Sequence, residues 1–430
     1  MHPIDNQFLE LLRQGDFDKA RKAVKGLVNI FRTNLDRVKV SSPPTFLGKA
    51  EKAPHRLVYL PIEIKDREFE SKLFLAKAFL ALGIDVVIGQ TWSITSGLFK
   101  DLPRGVVLFK TLNAIDAHNM YNARVAGHFT AALDEEAFTR PVSDDIYKIN
   151  INREALQNCC VLYTQGDEQS AKIEELFNRP SFVVGNPRAD VIASKKWDGS
   201  GGHDLICGMA GTINGVRGIY NTISATIGQL CKGEHAKLAV DMLEKAALRE
   251  LEVFPEVMEA LCTSKDAVFR PHPSEDPTFW QNILDTGSPE DPLVRFTGSS
   301  ISHMVNSSKV FHVAECGTGF EAELLGAPSH SLGGDKPNYG PDFLFRTKNG
   351  NAAGRLAVNM LSMGFDLRQE LSRDKIKEVL TQRKSTFQPT TFHRRKFPTT
   401  ETEEIVTGTG ASLDRVSKID DNLWYVEAEY

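Results

Sequence analysis

The chain has 430 residues, of which 41% are hydrophobic and 25% charged, and a formal net charge of -5. That length exceeds one ordinary core and fits two domains with accessory pieces. The composition excludes a disordered or fibrous chain, and the net acidity argues against a general nucleic-acid binder. No run of about 18 apolar residues marks a membrane span. The charged start MHPIDNQFLELLRQGDFDKARK lacks the apolar centre of an export signal, so a cytoplasmic protein is expected. Cys159, Cys160, Cys207, Cys231, Cys262 and Cys316 are scattered without a CxxC pair and read as reduced thiols.

The spacing of Phe8, Leu11 and Leu12, then of Ala20, Ala23, Val24, Leu27 and Ile30 beyond Gly15-Asp16, predicts a helical hairpin over residues 5–33. A linker with Ser41, Ser42, Pro43 and Pro44 follows. From residue 56 short β-branched runs alternate with helical patterns. RLVYLPIEI reads as a strand, FESKLFLAKAFLALG as a helix ending at Gly83 and IDVVIGQ as the next strand; GVVLFK, HFTAALD, CVLYTQG and SFVVGNP continue the series. Such alternation implies parallel strands with right-handed crossovers, and so a doubly wound sheet. The polar, glycine-rich WDGSGGH at 197–203 suits a connection between two lobes, and the second lobe then begins near Asp204. It has strands at DLICGMAG, DAVFRPHP, LVRFTG and KVFHVAEC and a long helix at KLAVDMLEKAALRELEVFPEVMEALC. Beyond residue 370, QELSRDKIKEVLTQR is a helix pattern, whereas FQPTTFHRRKFPTTETEEIVTG reads as an extended, weakly ordered tail. The expected organisation is a helical extension and linker over 1–48, Rossmann-like lobes over 49–200 and 201–370, and a helix with a charged tail over 371–430.

In open α/β sheets ligands bind at the carboxyl ends of the strands, which directs attention to a few places. AVF runs into Arg270, Pro271, His272 and Pro273, a guanidinium fork and an imidazole suited to phosphate; a surface turn capped by Ser274 is the plainer alternative. KVFHVAE is followed by Gly317, Thr318 and Gly319, with a helix expected near Phe320. Its free amides suit a phosphate, and Glu321 could face a ribose hydroxyl. A glycine turn needed only for geometry explains the same residues.

In the first lobe, Asp134, Glu135 and Glu136 follow HFTAAL. Adjacent carboxylates raise one another's pKa, which suits acid/base work, although acidic residues also favour helix N-termini. Asn186, Arg188 and Asp190 follow SFVVG, with Asp190 a candidate nucleophile or helix cap. Glu63, Lys65, Arg67 and Glu68 follow the first strand, and Lys110, Asn113, Asp116 and His118 the third. The absence of GxGxxG after the first strand, and of GxxxxGK[ST], GxSxG and HExxH, weakens dehydrogenase, NTPase, hydrolase and zinc-protease readings.

From Arg56 to Gly340, the ordered set YLPIEIKDREFESKLFLAKAFLALG, ALDEE, VVGNPRAD, RPHPSED and ECGTGFEAELLGAP resembles bacterial surface-carbohydrate biosynthesis glycosyltransferases of capsule and O-antigen (lipopolysaccharide) assembly. Within them it is most similar to retaining β-Kdo transferases that use CMP-Kdo. The resemblance implies an α/β fold of two Rossmann-like lobes facing a cleft, here with an added N-terminal helical hairpin. It implies that His272 and Pro273 hold the CMP moiety, that Gly317, Thr318 and Gly319 complete the cytidylate pocket, and that Asp134, Glu135 and Glu136 match a catalytic carboxylate motif. From the residues themselves, Arg270, Glu321 and Asn186 are further donor-binding candidates, Arg188 or Lys110 is the cation for the sugar carboxylate, Glu135 is assigned as acid/base and Asp190 as nucleophile, with a helix cap as its rival role. Expected partners are a nucleotide-sugar donor and a glycan or glycolipid acceptor, with peripheral association at the inner membrane face or a polysaccharide-assembly complex. No nucleic acid, metal ion or organic cofactor is expected. Serines often stand where this chain has Gly317, Thr318 and Gly319. A nonhydrolysing UDP-sugar epimerase, a CDP-dependent polyol phosphotransferase and a noncatalytic assembly protein are the alternatives.

Overall fold

The computed structural model describes residues 3–35, 51–95, 102–135, 137, 144–208, 210–214, 218–230, 236–264, 266–272, 274–276, 280, 293–294, 300–313, 316–333, 350–366, 371–382, 389, 394 and 396–429. The chain forms two compact units: Pro43–Ser194 with Phe343–Tyr430, and Met1–Ser42 with Lys195–Asp342. In chain order the strands are β1 (Leu57–Ile62), β2 (Asp85–Gln90), β3 (Val106–Phe109), β4 (Phe129–Leu133), β5 (Val161–Thr164), β6 (Phe182–Val183), β7 (Asp204–Cys207), β8 (Val268–Arg270), β9 (Leu293–Val294), β10 (Lys309–Val313), β11 (Ser329–Leu332), β12 (Val416–Asp420) and β13 (Leu423–Val426).

The first unit holds an eight-stranded sheet in the order β12-β13-β2-β1-β3-β4-β5-β6. From β2 to β6 all neighbours are parallel, as the alternation predicts. Every residue of β1 to β4 is buried because helices cover both faces. Successive side chains of β1 enter two different cores. Val58, Leu60 and Ile62 pack with Phe79 and Trp424, whereas Leu57 and Tyr59 pack with Met120 and Tyr425.

The segment 387–408, expected as a weakly ordered tail, is corrected at its end, where Thr402–Thr409 is a helix. The residues beyond it supply β13, antiparallel to β2, and β12, antiparallel to β13. Leu423, Trp424, Tyr425 and Val426 are all fully buried. The hairpin closes the β2 edge, which would otherwise present unpaired backbone groups. Asp85 ties it down: its buried carboxylate accepts from Arg373 Nε and Nη2 at 3.0 and 2.6 Å, Tyr425 Oη at 2.6 Å and the Ala428 amide at 2.7 Å. The helices Ala352–Gly364 and Arg373–Gln382 belong to this unit as well, so the expected second lobe, drawn to 370, ends too late.

The second unit holds a five-stranded parallel sheet in the order β11-β10-β7-β8-β9. The N-terminal hairpin, expected as a separate extension, is part of this unit. It comprises helices Pro3–Arg13 and Phe17–Asn34. Arg32 pairs with Asp241 at 2.7 Å and Glu244 at 2.6 Å on the long helix Ala236–Thr263. The Phe17 ring lies 5.9 Å from that of Phe254, and the buried Asp5 accepts the Tyr220 amide at 2.9 Å, beside the start of helix Gly218–Leu230. Among the described residues, no helix is long and apolar enough to cross a membrane.

If the C-terminal hairpin is part of the eight-strand fold, Asp85→Ala should destabilise that unit by about 3–5 kcal/mol, because it leaves Arg373 and Tyr425 without their acceptor. Urea unfolding followed by tryptophan fluorescence measures this; a loss below about 1 kcal/mol would mean the hairpin is a dispensable addition.

Candidate functional site

In the five-strand unit the strand order reverses between β7 and β10, the position where open α/β sheets take ligands. Three segments leave the carboxyl edge there: the loop 208–214 after β7, the loop 271–276 after β8, and the helix Gly317–Leu325 after β10. The structure thus brings Arg270 and His272 to the same sheet edge as Gly317, Thr318 and Gly319. Pro273 lies outside the described residues.

His272 is half-buried and held on several sides. Its Nδ1 lies 2.7 Å from Ser274 Oγ and accepts the Ser274 amide at 3.3 Å, while its own amide donates to Glu275 Oε1 at 2.8 Å. Glu275 is 1% exposed. The same Oε1 accepts the Ala210 amide at 2.9 Å, and Oε2 accepts Trp280 Nε1. The Trp280 ring stacks on Phe254 at 5.2 Å and meets Phe269 edge-on at 4.6 Å. From the long helix, buried Glu250 accepts the Thr212 amide on both oxygens, at 3.1 and 3.0 Å, and the Ile213 amide on Oε2 at 2.9 Å. Burial pushes the Glu250 carboxyl up to about 8 and the Glu275 carboxyl up to about 7, outweighing the amide hydrogen bonds that favour the charged form.

The glycine-rich loop after β7 is therefore already filled by protein carboxylates. Amides 210, 212 and 213, which could have cradled a phosphate, are spent on Glu275 and Glu250. The Gly208 amide goes to the Arg270 carbonyl at 3.2 Å. By contrast, the N-cap of helix Gly317–Leu325 is Cys316, which makes no side-chain cap. This helix begins three residues earlier than expected, because small glycines accept the first-turn geometry. Gly319 packs so closely under His312 that a Cβ would lie 2.5 Å from the ring. Thr318 lies beside the thiols of Cys207 and Cys316, and Glu321 is 1% exposed. Burial pushes the Cys207 thiol up to about 12 and raises that of Cys316 as well.

In the eight-strand unit the order reverses between β1 and β3, and a charge network occupies that edge. Lys110 pairs with Glu63 and Glu68, both at 2.7 Å, and Lys396 pairs with Glu63 at 2.7 Å. Glu68 also accepts the Glu63 amide at 2.8 Å. Lys110, and then Lys396, hold the Glu63 carboxyl well below the usual carboxylate range, and the side chain remains 43% exposed. Asp116 accepts the Thr111 hydroxyl at 2.5 Å, yet burial pushes its carboxyl up to about 6.

The sequence-derived catalytic trio is rearranged. Asp134 and Glu135 are buried at the end of β4, and Glu136 lies outside the described residues. Glu135 is ion-paired with Lys72, itself 1% exposed, so its charged partner is a cation from helix Lys65–Leu80 rather than its acidic neighbours. Asp190 spends both oxygens on the amides of Gly350 (2.9 Å) and Ala352 (2.5 Å) at the start of helix Ala352–Gly364. This is a capping arrangement, the alternative that the sequence left open for Asp190. Asn186 caps helix Pro187–Ala193 by accepting the Arg188 amide at 3.0 Å, and Arg188 is buried.

Sequence reasoning missed Lys72, Lys396, Glu250 and Glu275. A signal for Lys72 exists: Glu68 and Lys72 stand at helical spacing with Ala76 and Phe79, all buried, so a charge pair occupies the core face of a helix. Among the described residues, no three His, Cys, Asp or Glu side chains gather as a metal site.

A carboxyl whose folded-state pKa exceeds its unfolded value binds protons that the unfolded chain has released, so its contribution to stability falls as pH rises between the two values. Relative to Glu250→Gln, the wild-type chain should lose stability from about pH 4.5 to about pH 8. Urea midpoints at pH 5.5 and 8.5 test this, and a constant difference between the two proteins would contradict the burial argument. Compared with known proteins, the chain matches no family model and no curated protein.

Proposed function

We propose that the protein is a glycosyltransferase that moves Kdo or a related acidic keto-sugar from a CMP-linked donor to a surface polysaccharide or glycolipid. The nucleotide is taken by the five-strand unit. One observation carries this reading: the loop after β7 is closed by Glu250 and Glu275, whereas Arg270, His272 and the uncapped helix Gly317–Leu325 remain at that edge. A pyrophosphate needs a second cradle of amides, and those amides are already bonded to Glu250 and Glu275. A single phosphate can be met by a guanidinium, an imidazole and one helix N-terminus. The same observation counts against the UDP-sugar epimerase and CDP-polyol readings.

In this reading Arg270 and His272 stabilise the charge that develops on CMP as it leaves, without needing a divalent ion. Retention of configuration proceeds by double displacement. A carboxylate forms a bond to the anomeric carbon while the phosphate oxygen departs with the electron pair of the glycosidic bond. The acceptor hydroxyl then displaces the carboxylate, which leaves with the electron pair of the glycosyl-enzyme bond, while a general base takes the hydroxyl proton.

Calorimetric titration should show CMP binding more tightly than CDP, UDP or GDP. His272→Ala should weaken CMP by roughly 10-fold to 100-fold, the worth of a hydrogen bond to a charged group, with the thermal midpoint unchanged. Tighter binding of any diphosphate, or an unaltered CMP affinity in the variant, would overturn the reading.

A further inference from the structure

The His272 imidazole does not choose its protonation pattern freely. A backbone amide can only donate, and the Ser274 amide donates to Nδ1 at 3.3 Å. Nδ1 must therefore carry the lone pair, and the Ser274 hydroxyl, 2.7 Å away, donates to it as well. The ring proton is left on Nε2. The main chain of the same turn is clamped reciprocally. The Glu275 amide donates to the His272 carbonyl at 2.9 Å, and the His272 amide donates to Glu275 Oε1 at 2.8 Å.

The clamp extends beyond its own turn. Glu275 Oε1 also takes the Ala210 amide, and the Asp276 amide donates to the Asn214 carbonyl at 2.8 Å, so hydrogen bonds tie the turn after β8 to the loop after β7. Gly211 faces the turn so closely that a Cβ there would lie 2.5 Å from Ser274 Oγ. Behind Glu275, the Trp280 indole is fixed between Phe254 and Phe269.

We infer that Ser274 and Glu275 are positioning residues that hold His272 as its Nε2–H tautomer, with that N–H as the donor offered to the phosphate of a nucleoside monophosphate. The inference rests on the nucleotide-binding reading of this edge. Glu275 fixes where the imidazole stands, and Ser274 fixes which nitrogen carries the proton. A phosphate oxygen is purely an acceptor, so the opposite tautomer would present a lone pair to it and repel it.

The test uses the full chain with nitrogen-15-labelled histidine, CMP as the probe, and His272→Gln to assign the resonance. In the wild type, the imidazole spectrum should show His272 protonated on Nε2. Ser274→Ala should give a mixture of tautomers and weaken CMP about fivefold, the equivalent of one lost hydrogen bond. Ser274→Thr, which keeps the hydroxyl, should restore both. Glu275→Gln sets its amide against the Trp280 N–H and should weaken CMP without changing the tautomer, and adding Trp280→Phe should recover part of the loss. A wild-type His272 carrying its proton on Nδ1 overturns the inference even if Ser274→Ala fails to fold. Equal CMP affinity and an unchanged tautomer in Ser274→Ala overturn it while leaving nucleotide binding intact. Absence of CMP binding by the wild type overturns the nucleotide reading and this inference with it.

Discussion

A carboxylate taken out of water must be given hydrogen bonds or a cation, and much of this protein is arranged around that cost. Asp85 is buried only because Arg373, Tyr425 and the Ala428 amide surround it, and in meeting its needs they bind the end of the chain to β2. Glu135 is met by Lys72 and Glu68 by Lys110. Glu250 and Glu275 are met by backbone amides and an indole. Burial raises both carboxyls, so the amides offset the loss of water only in part.

The same constraint shapes the candidate nucleotide edge. Amides gathered at a glycine-rich turn form an anion site whoever supplies the anion. Here the chain supplies its own, from the long helix and from the turn after β8, so amides 210, 212 and 213 form a closed wall. Arg270, His272 and the start of helix Gly317–Leu325 stand at the same sheet edge. The aromatic stack from Phe17 through Phe254 to Trp280 links the N-terminal hairpin to that wall, which gives the hairpin a physical place in the unit.

Much of the architecture was legible because parallel strands buried on both faces leave continuous apolar runs, and LVYLPI and DVVIGQ stand out against the helical patterns between them. RPHPSED and CGTGFE were legible as strand ends for the same reason. LWYV was as apolar as any strand, but the charged stretch before it obscured a hairpin whose partner, β2, lies more than 300 residues earlier. Glu250 and Glu275 resembled ordinary surface acids, since nothing local says that their acceptors will be the amides of residues 210–213.

By itself, the sequence determined the alternation of strands and helices, the positions of the strand ends, and which residue types stand there, because periodicity and turn chemistry are local. The tertiary structure decided what those residues bond to. It turned Asp190 into a cap for a helix 160 residues away, gave Glu135 a lysine, assigned both chain ends to folded units and filled the glycine loop with carboxylates. Each of these outcomes depends on desolvation and on partners far apart in the chain, and neither is encoded in the spacing of neighbouring residues.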